Sequence, residues 1–211
     1  MILNGYAIKL TESLTGLPNL IGKKIFDIGY LIWSPSNDRE DEKKFQTIEL
    51  NRSIQFCFHG GAILIFDDDT NLTVWNPRPA RYDMFVDFNF SIEEYKRKEL
   101  ERNKNPGYFH LFSVRLDPDM SNEYMNSLLG KKIVSVELVR YKNKKKNRPP
   151  LKIPDRFGSI IFGFDDGTKT ALGHSMQSEI ATGLEFHPSD YVLPEVIDEI
   201  ISIPLPQAQG E

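Results

Sequence analysis

Oxygen-rich side chains cluster at two points in the chain. Residues 67–71 are Asp-Asp-Asp-Thr-Asn, and residues 165–167 are Asp-Asp-Gly. Oxygen ligands at alternate positions open a calcium-binding loop, which then needs glycine at its sixth position and glutamate at its twelfth. The chain has Leu72 and Arg78 at those positions. The acidic runs are therefore predicted to be hairpin turns with solvated carboxylates. The alternative is a cation site built from Asp67, Asp69 and Asp165.

The cysteine and the histidines add little chemistry. Cys57 and His59 lie two residues apart on a predicted strand and share one face, whereas a nucleophile and its base usually come from different elements. His110, His174 and His187 show no metal-ligand spacing, and the sequence has no glycine-rich phosphate loop and no nucleophile elbow. We expect a protein with no catalytic residue and no cofactor. The alternative is a metal-assisted hydrolase that combines the acidic turns with histidines from both halves.

Two charged loops of opposite sign occupy matching positions in the two halves of the chain. Residues 38–44 are mostly acidic and residues 142–148 are mostly basic. Such runs are typical of solvated insertions, but opposite charges also serve recognition of a charged partner. The predicted partner-binding residues are Asp38, Glu40, Asp41, Glu42, Lys144, Lys145, Lys146 and Arg148.

Bulk composition narrows the class of partner. The 211 residues carry 26 basic and 30 acidic side chains, a net charge of -4. A split after Gly107 leaves -2 in each half, so no basic field attracts nucleic acid or anionic lipid. One cysteine excludes an intramolecular disulfide framework. The chain shows no signal-peptide pattern and no apolar run of about 18 residues, so we expect a cytoplasmic protein without a membrane span.

A short motif occurs twice. Residues 20–25 are Leu-Ile-Gly-Lys-Lys-Ile and residues 128–133 are Leu-Leu-Gly-Lys-Lys-Ile. After loops of different length, each copy continues into an apolar run that ends in an acidic turn. Alternation of apolar and polar residues predicts strands on both sides of these turns. The expected fold is mainly β, with two tandem copies of a small antiparallel β unit and short helices. The copies span residues 1–107 and 108–211, as two domains or as one joint domain.

Three short helices are predicted beside the strands. Residues 91–102 begin with a capping box, and residues 121–129 end at a glycine suited to a helix C-terminus. Residues 194–201 have apolar positions at helical spacing after a proline, which predicts a C-terminal helix. The Asp166–Gly167 pair favours a type I′ hairpin turn.

The repeated motif, with its following Ile-x-Phe-x-Phe-Asp-Asp-Gly-Thr pattern, is similar to small bacterial β-rich proteins. Some of these are immunity proteins encoded beside contact-dependent or polymorphic toxins. The resemblance covers residues 20–75 and 128–172. It implies a non-catalytic protein that binds and blocks one toxin domain, and it transfers no individual functional residue.

Three functions therefore follow from the sequence. The leading hypothesis is a cytoplasmic binding protein, of the immunity type, that recognises a protein partner through its charged loops. The second is the metal-assisted hydrolase. The third is a structural subunit of a homo-oligomer, which buries the phenylalanine-rich segment at residues 82–90 against a copy of itself.

Overall fold

A computed structural model gives the fold, and it describes residues 16–34, 38, 40, 61–75, 85–88, 91, 108–141, 157–174, 184–189 and 197–203. Single turns of 3-10 helix lie at Leu17–Leu20 and Pro118–Met120, and the helix α1 is Glu123–Leu128. The strands are β1 (Ile25–Ser34), β2 (Gly61–Phe66), β3 (Asn71–Trp75), β4 (Phe85–Phe88), β5 (Tyr108–Ser113), β6 (Ile133–Tyr141), β7 (Phe157–Phe164), β8 (Lys169–His174), β9 (Leu184–Pro188) and β10 (Ile197–Ser202).

The described strands form two antiparallel sheets of five strands with the same connectivity. The first has the order β4-β3-β2-β1-β5, and the second has the order β9-β8-β7-β6-β10. Even the residue after the last strand matches: Val114 N–H donates to Ile28 O, and Ile203 N–H donates to Val136 O, each at 2.9 Å. The prediction of a mainly β fold is confirmed. Strand β5 follows Gly107 in sequence but lies in the first sheet.

Both acidic runs are hairpin turns, as the sequence predicted. Each turn is a three-residue loop closed by a backbone hydrogen bond, from Phe66 N–H to Thr70 O in one half and from Phe164 N–H to Thr168 O in the other, both 2.9 Å. The third loop residue has positive φ, 63° at Asp69 and 81° at Gly167. The predicted type I′ turn is wrong, because that type needs positive φ at two consecutive residues and Asp166 does not have it.

One hydrophobic core contains buried side chains from both sheets. Alternation along the strands directs one face of each sheet into this core. Its largest fully buried members include Tyr30, Phe66, Phe112 and Phe162. The Tyr30 hydroxyl, from β1, donates to the Met125 sulfur on α1, so a polar contact inside the core also joins the halves. Burial, followed by the charge of Asp27, raises the pKa of Tyr30 well above its usual value.

The two copies of the repeated motif pair with each other through four backbone hydrogen bonds. Gly22 N–H donates to Ile133 O at 2.8 Å, and Gly130 N–H donates to Ile25 O at 2.7 Å. The other two run from Ile133 N–H to Lys23 O and from Ile25 N–H to Lys131 O, at 2.9 and 3.0 Å. Exchanging the copies maps each bond onto another. We call this four-bond pairing the central ladder, and the approximate two-fold relation at its centre the pseudo-dyad.

Described secondary structure tests two of the three helix predictions. The helix at 121–129 is confirmed as α1, with the Asn122 side chain accepting from Met125 N–H at 2.9 Å. The C-terminal helix is wrong, because β10 occupies Ile197–Ser202 and pairs with β6. Of residues 91–102, only Ser91 is described. No helix among the described residues is long and apolar enough to cross a bilayer.

The glycines of the central ladder generate a first prediction. Gly22 and Gly130 have φ of 96° and 80°, and a Cβ added to either would meet no atom within 4 Å. Any cost of Gly22→Ala or Gly130→Ala therefore comes from the backbone, and we expect each to lower the free energy of unfolding by about 1 kcal/mol. Urea unfolding measures this. Asparagine, which tolerates positive φ better, should cost less at both sites. A stabilising alanine would contradict the assigned backbone.

The shared core generates a second prediction. Phe164 is 2% exposed in the second sheet, whereas both tryptophans, Trp33 and Trp75, lie in the first half. Phe164→Ala should lower the free energy of unfolding by about 3–5 kcal/mol. Because the core is continuous, tryptophan fluorescence should report the same shift in urea midpoint as circular dichroism. A tryptophan transition that stays at the wild-type midpoint would mean that the halves unfold independently.

Candidate functional site

The first lysine of each repeated motif holds the adjacent acidic turn. Lys131 Nζ lies 2.9 Å from Asp166 Oδ2 and 2.8 Å from Thr168 Oγ1. In the first half, Lys23 makes the same contacts with Asp68 and Thr70. Both ammonium groups also lie over a phenylalanine ring, with Nζ 5.7 Å from the Phe66 centroid and 5.5 Å from the Phe164 centroid. The two lysine side chains are only 19% and 18% exposed, and their ammonium groups bind the acidic turns.

These contacts change the acidity of the turn carboxyls. Hydrogen bonds from Lys23 and then Thr70 lower the pKa of Asp68 to about 2. Hydrogen bonds from Thr168 and then Lys131 lower the pKa of Asp166 to about 2. Both carboxylates are exposed, so the surrounding water weakens the effect of each pair on stability.

Two of the three residues of the alternative cation site accept hydrogen bonds from backbone N–H groups beside their own turns. Asp67 Oδ1 accepts from Lys24 N–H, and Asp165 Oδ1 accepts from Lys132 N–H, each at 3.2 Å. Asp69 is the exposed turn residue with positive φ. Among the described residues, no three His, Cys, Asp or Glu side chains are grouped so as to hold a metal ion. The described geometry therefore gives the hydrolase alternative no observation in its favour.

The second lysine of each motif has a different environment. Lys24 and Lys132 face each other as an antiparallel bridge at the centre of the ladder, where directly opposed Cβ atoms are roughly 5 Å apart. Both side chains are exposed, and neither forms an ion pair with a described carboxylate. Like charges at directly opposed positions are destabilising. The ladder thus places two exposed lysines opposite each other at the pseudo-dyad, and no described carboxylate forms an ion pair with either one.

A β-bulge beside each of these lysines turns an apolar side chain into solvent. The register shifts between Ile25 and Asp27 in β1 and at the corresponding place in β6. The extra residues are Phe26 and Val134, which are 49% and 43% exposed. A bulge re-aims the side chain at its extra residue. Phe26 therefore flanks Lys24 on the solvent-facing side, and Val134 flanks Lys132.

Arg115 extends this surface on the side of the first half. Its guanidinium carbon lies 4.2 Å from the Phe26 ring centroid, and its Nε–H donates to Phe26 O at 2.6 Å. The terminal nitrogens form no ion pair with a described carboxylate. Leu116, next in sequence, is 82% exposed. We define the dyad surface as these two residues together with the bulge residues and the exposed lysines: Lys24, Phe26, Arg115, Leu116, Lys132 and Val134.

A buried carboxylate fixes the segment that carries Arg115. Asp27 is 6% exposed, and its oxygens accept from the backbone N–H groups of Ile28 and Arg115 and from the Ser113 hydroxyl. Ser113 N–H in turn donates to Asp117 at 3.1 Å. Because each oxygen of Asp27 is hydrogen-bonded, this group anchors the turn after β5 rather than facing solvent.

The charged loops predicted to bind a partner lie mainly outside the described residues. Asp38 and Glu40 are described and exposed, and Glu40 N–H donates to Asp38 Oδ1 at 2.9 Å. The others lie outside: Asp41, Glu42, Lys144, Lys145, Lys146 and Arg148. Cys57 and His59 also lie outside the described residues. His110 is described, and it is 7% exposed in β5.

Sequence reasoning missed the dyad surface entirely. The lysine pairs belong to the repeated motif, and Arg115 and Leu116 belong to none of the motifs found in the sequence. The repeated Gly-Lys-Lys-Ile segment was the one sequence signal for this surface. A duplicated segment at the start of a strand can pair with its second copy, and this pairing brings the lysines together. Comparison of the chain with family models, with curated proteins and with solved structures finds no match.

The lysine-bound turns generate a third prediction, on pH dependence. The pKa of Asp68 and Asp166 is lower in the folded chain than the ordinary 3.8. Their contribution to stability is therefore present above about pH 4 and disappears as the pH falls toward 2. The double variant Asp68→Asn/Asp166→Asn should be less stable than wild type at pH 6. Its urea midpoint should then fall less steeply from pH 4 to pH 2.

Asp69→Asn is the matched control for this pH series. It removes the same charge from the same turn but leaves the bonds of Lys23 to Asp68 and Thr70 in place, and asparagine tolerates the positive φ. If Asp69→Asn flattens the pH curve as much as Asp68→Asn alone does, the lysine contacts are not the source of the effect.

Proposed function

We propose that this protein is a non-catalytic binding protein that acts by holding another protein. The observation that supports this most directly is the dyad surface, where exposed apolar side chains and uncompensated cations stand on a rigid sheet junction. Aromatic residues and arginine are enriched at protein interfaces, and Phe26 stacked on Arg115 provides both. Two of the carboxylates of the alternative cation site, Asp67 and Asp165, instead accept from backbone N–H groups.

The specific role that we propose is that of an immunity protein, which binds and blocks a toxin domain. Its support is the resemblance of the repeated motif to small bacterial β-rich proteins, some with that role. A binding protein of this kind needs no reactive group, because occupying the partner's surface is sufficient. Its two halves share one core and the central ladder, so little conformational entropy is lost when a partner docks on the surface that spans them.

A tagged pull-down from the native organism, read by mass spectrometry, tests the proposal. The expected result is a stoichiometric protein partner. If that partner arrests growth when expressed alone and is harmless when co-expressed with this chain, the immunity role is supported. A partner that is harmless alone would retain the binding role and remove the toxin. The absence of any stoichiometric partner would contradict both.

The charged loops generate a fourth prediction once a partner is in hand. Reversing charges in both loops, with Asp38→Lys/Glu40→Lys and with Lys144→Glu/Lys145→Glu, should weaken the complex about tenfold. The loss should lie mainly in the association rate and should shrink at high salt, because exposed charges steer encounter. Surface plasmon resonance measures both rates. Glu199→Lys, an exposed reversal on β10, is the control, and equal weakening by this variant would contradict a role for the loops.

A further inference from the structure

The dyad surface has a charge distribution that specifies its partner. Lys24 and Lys132 oppose each other across the pseudo-dyad, and Arg115 lies over Phe26 beside Lys24. None of these three cations has an ion-pair partner among the described residues. The adjacent lysines of the same motif, Lys23 and Lys131, are paired with Asp68 and Asp166. Within each lysine pair, one cation is thus neutralised by the fold and the other is left exposed.

The carboxylates nearest to this surface do not compensate it. Asp67 accepts from the backbone N–H of Lys24, and Asp165 accepts from the backbone N–H of Lys132. Neither carboxylate pairs with the ammonium group of that lysine. Asp27 is buried beneath the surface, with both oxygens occupied by N–H and hydroxyl donors. These three carboxylates limit the long-range field, as does the net charge of -4. Attraction is therefore confined to direct contact with the exposed cations.

The exposed apolar residues lie beside the same cations. Phe26, Val134 and Leu116 are 49%, 43% and 82% exposed, and both bulge residues flank the opposed lysines. The Arg115 guanidinium stacks on the Phe26 ring, and its Nε–H donates to Phe26 O. These two contacts hold the guanidinium in place. A guanidinium held in this way loses little entropy when its terminal nitrogens bind a carboxylate. The surface is therefore prepared for a ligand that carries carboxylates around an apolar side chain.

We propose that the dyad surface binds an acidic segment of a protein partner. Carboxylates of that segment pair with Lys24, Lys132 and Arg115, and an apolar side chain between them packs on Phe26 or Val134. This inference names the partner chemistry of the proposed binding function and rests on it. It places the contact at the junction of the halves.

The test uses the full chain, labelled with ¹⁵N, and a synthetic dodecapeptide with four aspartates around one leucine. Amide shifts of residues 22–26, 115–116 and 130–134 should change and saturate in the millimolar range, and about 0.5 M salt should abolish them. A peptide with asparagines in place of the aspartates should bind about tenfold more weakly. A peptide with serine in place of the leucine should also bind more weakly, because it lacks the apolar contact.

Protein variants locate the site. The triple variant Lys24→Gln/Lys132→Gln/Arg115→Gln should weaken the aspartate peptide about tenfold. Lys169→Gln, at an exposed lysine paired with Glu137 outside the dyad surface, should leave binding unchanged. Lys24→Gln/Lys132→Gln should not lower the urea midpoint, because it removes two opposed like charges. The loss of binding by these variants is then separate from folding.

Three results would overturn the inference. The first is no shift at the dyad surface with about 5 mM aspartate peptide. The second is equal binding of the aspartate and asparagine peptides. The third is tighter binding of a twelve-nucleotide oligothymidylate at the same residues, which would assign the surface to nucleic acid instead.

Failure of this inference differs from failure of the proposed function. If the triple variant binds the captured partner as tightly as wild type does, the dyad surface is excluded while the binding function stands. If the peptide binds as expected but the pull-down finds no partner, the surface chemistry stands and the proposed function fails.

Discussion

The central ladder is the constraint on which the rest of the structure depends. Four backbone hydrogen bonds join Gly22–Ile25 to Gly130–Ile133, and each contributes only about 0.5–1.5 kcal/mol net. Their importance is geometric. They set where β1 and β6 begin, and therefore which residues of each strand enter the shared core. Gly22 and Gly130 have positive φ, and this conformation turns each of the two segments into the ladder. The junction therefore uses a backbone conformation that glycine adopts readily.

The ladder also decides what two neighbouring lysines do. In each Lys-Lys pair the first ammonium lies over a phenylalanine and reaches the acidic turn, whereas the second lies at the bridge. Successive side chains on an extended backbone point to opposite faces. Identical side chains one position apart therefore take on opposite roles. Lys131 fixes a hairpin, and Lys132 stands exposed with its counterpart from the other half.

Local sequence patterns predicted most of the described fold, and long-range pairing accounts for what they did not. The acidic run between apolar segments located the hairpin of β7 and β8, because that signal lies within a few residues. The apolar spacing in residues 194–201 fits a helix in isolation, but β10 forms there by pairing with β6, a partner more than fifty residues away. The β-branched isoleucines of this segment favour a strand. The apolar spacing within the segment does not indicate that an edge of β6 is open for pairing.

The candidate site was less predictable than the fold for the same reason. The spacing of the acidic residues suggested a cation site. In the structure, Lys23 and Lys131, which are distant in sequence from the turns, bind them instead. Arg115 acquires its position through contacts with Phe26 and Asp27, which are far away in sequence. A surface assembled from several separate segments has no linear motif. Only the repeat itself hinted that its two copies meet.

The pseudo-dyad relates backbones more closely than it relates side chains. Phe26 corresponds to Val134, and Asp69 corresponds to Gly167. In a symmetric homodimer every substitution appears twice, so the two ends of a surface crossing the axis must remain identical. Here each end can vary separately, and among the described residues only the Phe26 end carries an arginine stacked on an aromatic ring. The two ends of the junction therefore present different side chains, and the surface has a direction that the interface of a symmetric dimer lacks.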